Sequence, residues 1–138
     1  MSPPATTSLD TATHLRPELR AWLLEKLRWP VLATIGKDGR PSQSVVWFDL
    51  DPNEEVVLLN TLAGRVKHRH LQRDHRVSLC FEDEAKYLTI EGHAEMEADP
   101  GMAGIWALAH RYGEGEGSFA IGDRINIRVQ IERVIWHP

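Results

Sequence analysis

Apolar residues recur at three- and four-residue steps through Leu15, Leu19, Trp22, Leu23 and Leu27, which predicts an amphipathic helix from Leu15 to Arg28. Pro17 suits its first turn, where a missing N–H is no loss, and Pro30 stops it. From Val31 the period falls to two. Val31–Ile35 is a short run rich in β-formers, and the Asp38-Gly39 pair marks a hairpin. A return strand is expected from Ser42 to Leu50, a turn at residues 51–54, and a third strand over Val56–Asn60. Three strands joined by short turns make an antiparallel meander.

Beyond Asn60 the chain turns basic, and a short helix is expected from Gly64 to Arg73, with Val66 and Leu71 as its apolar anchors. Strands return at Arg76–Glu82 and Tyr87–Glu97, turning at Asp83-Glu84. Asp99-Pro100 opens a further helix, with Met102, Ile105, Trp106, Leu108, Ala109 and Tyr112 mostly on one side. A glycine-rich loop follows at residues 113–117. The last strand alternates most cleanly: Ile125, Ile127, Val129 and Ile131 face one way, Arg124, Asn126, Arg128, Gln130 and Glu132 the other. Six largely antiparallel strands with flanking helices predict a mainly β fold, a small barrel with helices packed outside. No internal repeat or linker interrupts the pattern, so residues 1–138 are expected to form one domain, with residues 1–14 as a flexible arm.

The bulk properties narrow the function. The chain has 138 residues, 42% of them apolar, which is ordinary for a soluble globular protein. A net charge of −4 argues against nucleic acid as the main partner. The single cysteine, Cys80, permits no intramolecular disulfide and suits a reducing, cytoplasmic setting. No stretch is apolar enough to cross a membrane, and the first residues lack the order of a signal peptide.

Against that acidic background the segment Asn60-Thr61-Leu62-Ala63-Gly64-Arg65-Val66-Lys67 stands out. A strand ends, the chain turns, and a helix begins near Gly64. Such an N-terminus offers unpaired N–H groups and partial positive charge to an anion. Thr61 can hydrogen-bond an oxyanion, Gly64 allows close approach of the backbone, and Arg65 and Lys67 add full charges. The same residues also suit a solvated basic helix face at a dimer interface. His68 and His70 are two apart, so on a helix they point to different sides, and no further residue completes a metal-ligand set. Cys80 reads as a small core residue, and no serine sits in a nucleophile motif. Trp22 and Trp106 read as core, whereas Trp47 and Trp136 suit either core, a pocket or an interface.

Taken in order, Val31-Leu32-Ala33-Thr34-Ile35…Asp38-Gly39-Arg40-Pro41, Asn60-Thr61…Gly64-Arg65…Lys67…Leu71, Glu91-Gly92-His93-Ala94 and Val129–Val134 resemble the pyridoxamine 5'-phosphate oxidase-like flavin and deazaflavin oxidoreductases. The resemblance implies a split β-barrel that forms homodimers, with two cofactor sites at the subunit interface. It implies that Thr61 and Lys67 contact cofactor phosphate, within a segment that includes Asn60 and Gly64. Arg65 matches a basic position typical of the branch that uses the deazaflavin F420. Gln43 and Ser44 match the strand along the ring system, and Tyr87 an aromatic position near the cofactor. Ser44 and Asp49 stand where the true oxidases carry an arginine and a lysine that hold the FMN phosphate, a departure toward the F420 branch. His70 replaces the asparagine usual in that helix. The implied function is an F420-dependent reductase passing hydride to a small conjugated substrate. The alternatives are an FMN-dependent oxidoreductase of the same fold or a non-catalytic F420 carrier.

Overall fold

The computed structural model describes residues 10–138. Eight strands form one antiparallel sheet. In chain order they are β1 (Asp10–Ala12), β2 (Val31–Ile35), β3 (Pro41–Val45), β4 (Asp49–Leu50), β5 (Val56–Leu62), β6 (Arg76–Asp83), β7 (Lys86–Ala98) and β8 (Arg124–His137). Three α-helices accompany them: α1 (Pro17–Leu24), α2 (Val66–Arg73) and α3 (Ala103–Arg111), the last preceded by a 3-10 turn at Pro100–Met102. The sheet runs β3-β2-β6-β7-β8-β5-β4, with β1 added on β8. Its two outer strands, β3 and β4, are consecutive in sequence. Three residues, Val46–Phe48, therefore join the edges covalently where no ladder pairs them, which is the split of the barrel.

The expected return strand Ser42–Leu50 is thus two strands, and this crossover is the reason. The Val46 N–H still donates to the Pro30 carbonyl at 3.0 Å, but Phe48 bonds to side chains at the end of α3: Tyr112 Oη accepts from the Phe48 N–H at 3.1 Å, and Arg111 Nε donates to the Phe48 carbonyl at 2.9 Å. Tyr112 Oη also donates to the Arg28 carbonyl at 2.5 Å, so one phenol ties the end of α3 to two other segments. The other added strand is β1. The arm expected over residues 1–14 lies outside the described residues for 1–9, and Asp10–Ala12 pair with Val134–Trp136 of β8 instead of hanging free. Six expected strands become eight by these two changes.

Alternation builds the core. Leu32 and Thr34 of β2, Val77, Leu79 and Phe81 of β6, Leu88 and Ile90 of β7, and Ile127 and Val129 of β8 all turn inward. Leu19 and Leu23 of α1 and Leu71 of α2 close the core from outside, at the four-residue steps that set one helix face. Two details depart from strict periodicity. Helix α1 ends at Leu24 and not Arg28, because the Arg28 guanidinium folds back onto the Trp22 carbonyl, at 2.9 and 3.1 Å. In β8 a bulge falls between the pairs Glu91↔Arg133 and Gly92↔Ile131, so the inward parity moves from Ile127 and Val129 to Val134. Gly92 is required there, since a Cβ would collide with the Gln130 carbonyl.

Candidate functional site

The site is built where β5 hands over to α2. β5 pairs with β8 so that Asn60 faces Asn126, Thr61 faces Ile125 and Leu62 faces Arg124. The chain then turns through Gly64, whose φ of 85° favours glycine, and enters α2 at Val66. The turn is held by the Ala63 N–H donating to the Asp123 carbonyl at 2.7 Å and the Gly64 N–H donating to His68 Nδ1 at 2.9 Å. No side chain caps the start of α2, so its first N–H groups are available to a ligand.

Beside this turn lies an open cleft of about 260 Å³. Thr61, Arg65, Lys67 and Arg124 form its polar side, and Val45 at the end of β3 with Val46 and Trp47 of the crossover bring an apolar wall. α3 and the segment Ser118–Ala120 complete it. Among the described residues lining it there is no carboxylate. The cations therefore act on one another. Burial, then the charges of Arg65 and Arg124, hold the Lys67 ammonium below the usual lysine range. Burial and the Arg65 charge likewise lower Arg124, against a partial opposing pull from Asp99. Arg65, Lys67 and Arg124 together give the cleft a positive field. A second hollow, of about 210 Å³ between α3 and the sheet, differs in this respect. Its Arg128 is already bound to Glu54 at 2.6 Å and to Asp51 at 3.4 Å.

Of the residues singled out from sequence, the structure brings Asn60, Thr61, Arg65 and Lys67 to this cleft. Gly64 shapes the turn beside it. Gln43 and Ser44 lie on β3, pairing with Ala33 and Leu32, and lead into Val45 without lining the cleft themselves. Tyr87 is far away. It lies near the start of β7, stacks on His137 at 3.8 Å, and stands about 35 Å along the strand from Ala98, which pairs with Ile125 beside the cleft. Within one chain it does not meet the other site residues. His68 and His70 serve separate partners, the turn at Gly64 and the Thr34 hydroxyl at 3.0 Å.

Of two further cleft residues, the sequence left Trp47 open between core, pocket and interface and did not mark Arg124. Trp47 stacks on Tyr112 at 5.4 Å and also lines the cleft. Arg124 reads in sequence as one polar member of an alternating strand. Only the register with Leu62 carries it to the cleft, and that pairing joins residues 62 apart in the chain.

A split barrel whose covalent crossover and strand–turn–helix enclose a cation-lined cleft is an architecture shared with known proteins. The family model for pyridoxamine 5'-phosphate oxidase matches residues 15–137, and the chain belongs to that family. It is 30% identical over 129 residues to the F420H(2)-dependent biliverdin reductase of Mycobacterium tuberculosis, spanning 92% of this chain and 91% of that protein. Among solved structures it is similar to an F420 reductase, with a TM-score of 0.76 and 28% identity over 86% of this chain and 98% of the other. The fold is also shared with General Stress Protein 26 of Bacillus anthracis, with a TM-score of 0.67 and 16% identity over 88% and 93% of the two chains.

Proposed function

We propose that this chain is a cytoplasmic F420-dependent oxidoreductase, and that the cleft at Thr61, Arg65, Lys67 and Arg124 holds the anionic part of the cofactor. The observation that carries this reading is the convergence of three cations, Arg65, Lys67 and Arg124, on a cleft lined by no carboxylate among the described residues, with burial and mutual repulsion lowering the proton affinity of Lys67 and Arg124. F420 carries a phosphate and a polyglutamate tail, so it matches a basic groove better than a cup for a single phosphate. The named relatives, an F420H(2)-dependent biliverdin reductase and an F420 reductase, point to the same cofactor.

When bound, reduced F420 supplies hydride to a conjugated acceptor. The protein's own part is to hold and orient. Arg65 and Lys67 grip the anion, Thr61 offers its hydroxyl, and Trp47 with Val45 and Val46 offers an apolar wall to a ring system. Val45 is 64% exposed and Ile121 70% exposed, both near the mouth of the cleft, and such apolar residues suit cover by a second copy. In a homodimer, Tyr87 and Gln43 of one copy would serve the cleft of the other, which reconciles their distance within a chain. No side chain in the cleft is assigned as a proton donor, and solvent can supply the proton.

Titration of the purified protein with F420 and with FMN, read by quenching of tryptophan fluorescence, tests the reading. Tight F420 and weak FMN binding is expected. Lys67→Ala should weaken F420 binding by roughly tenfold to a hundredfold, the worth of one charge-assisted hydrogen bond. Preferential FMN binding would move the chain to the flavin branch, and unchanged affinity in Lys67→Ala would remove the site assignment. Oxidation of reduced F420 by a quinone, enone or bilin acceptor separates a reductase from a carrier.

A further inference from the structure

Asn60 lies at the cleft, but its side chain has no donor left for an anionic ligand. Its Nδ2 donates to Asp99 Oδ2 at 3.0 Å and to Asn126 Oδ1 at 2.8 Å, and its Oδ1 accepts from Arg124 Nε at 3.0 Å. The amide orientation is fixed by chemistry, because only the NH2 can donate to the Asp99 carboxylate. Asp99 is itself 7% exposed and committed. It accepts from the N–H groups of Gly104 at 2.7 Å and Ile105 at 2.9 Å, where α3 begins, and its own N–H donates to the Arg124 carbonyl at 2.9 Å. Arg124 donates Nη1 to the Ala120 carbonyl at 3.1 Å, which leaves Nη2 without a hydrogen bond to the described residues.

We propose that Asn60 is a positioning residue, a neutral spacer between the buried Asp99 carboxylate and Arg124 that aims the guanidinium into the cleft without neutralising it. This rests on the cofactor reading above. A carboxylate at this position would pair with Arg124 and cancel the charge that the anion meets. An aliphatic side chain would leave Nε of a buried guanidinium without an acceptor and its fork free to turn. An amide alone among these accepts from the arginine, donates to the acid and adds no charge. The spacing explains why Arg124 and Asp99, two opposite charges close enough to influence each other, do not form an ion pair.

The test is F420 affinity of the full-length protein, by tryptophan quenching, from pH 8 to pH 5. The groups facing position 60 that bear charge are Asp99 ahead of α3, Arg124 of β8, and Arg65 and Lys67 at the start of α2. Asn60→Asp is nearly isosteric and should weaken F420 about tenfold or more at pH 8, then recover toward wild type as the new carboxyl takes up a proton. Arg124→Gln should weaken it similarly with no recovery. A simple packing defect in Asn60→Asp would not be repaired by acid. Wild-type affinity for Asn60→Asp at pH 8, with Lys67→Ala still impaired, overturns the spacer while leaving the cofactor reading intact. Failure of wild type to bind F420 overturns both. Should Asn60→Asp not fold, Arg124→Lys poses the same question, since it keeps the charge but loses the fork. About fivefold weaker binding is expected there, and unchanged affinity overturns the proposal.

Discussion

Arg28 and Arg124 are both buried arginines, 3% and 8% exposed, and they do opposite things. Arg28 is surrounded by neutralising partners. Its guanidinium donates to the Trp22 carbonyl, pairs with Glu25 at 3.0 Å and Asp83 at 3.6 Å, and lies 3.7 Å over the Trp22 ring. Arg124 is held only by neutral acceptors, the Asn60 amide and the Ala120 carbonyl. The first arginine closes a helix end onto a strand turn. The second keeps its charge facing a cleft where Arg65 and Lys67 add to it. Burial of a cation therefore does not by itself identify a site, and the charge of its partners does.

The contrast can be broken at several points. The largest effect is expected for Arg28→Ala. It removes a buried guanidinium, its packing on the Trp22 ring and the carbonyl contacts that end α1, so stability should fall by roughly 2–3 kcal/mol in urea denaturation, with F420 affinity unchanged. Arg124→Ala should cost roughly 1–2 kcal/mol of stability, because it strips donors from two neutral acceptors, but it should lower F420 affinity at least about tenfold. Equal stability losses in the two variants, with binding intact in both, would erase the distinction. The smallest effect has the opposite sign. The charged form of Lys67 is the costly one in the free protein, so Lys67→Met should stabilise it by about 0.5 kcal/mol at pH 7 while weakening the cofactor. The same cost gives a pH signature. The folded chain releases the Lys67 proton at lower pH than the unfolded chain, whose lysine titrates near 10.5. Stability of wild type should therefore gain a contribution as pH rises through that window, and Lys67→Met should lack it.

Most of the sheet was legible because each face of a strand is either wet or dry. Ile127 and Val129, Leu79 and Phe81, and Leu88 and Ile90 alternate with polar neighbours, and their burial follows. β1 was not legible, since Asp10-Thr11-Ala12 is too short and too polar to carry a period and is strand only because β8 offers it an edge. The break of Ser42–Leu50 was hidden for a related reason. Nothing local in Val46-Trp47-Phe48 opposes strand, and the partners that divert it, Arg111 and Tyr112, are more than 60 positions away. The basic segment at Arg65 and Lys67 announced itself by composition. Arg124 did not, because its role is set by register across β5 and β8 and by the Asn60 amide. Asn60, read from sequence as a cofactor contact, has both its amide N–H groups donated to protein partners, Asp99 and Asn126.

β8 pairs with β1, β5 and β7, and so it joins the two halves of the sheet. This has a consequence for the order of events during synthesis. The β2, β3, β6 and β7 ladders can form from residues up to 98, but β5 and β1 have no partner in the middle of the sheet until residues 124–137 leave the ribosome. Until then the chain carries two unjoined pieces, with the apolar run Val56–Leu59 uncovered. The strand that joins the sheet is also the one that brings Arg124, so the barrel and its cation-lined cleft are completed in the same step.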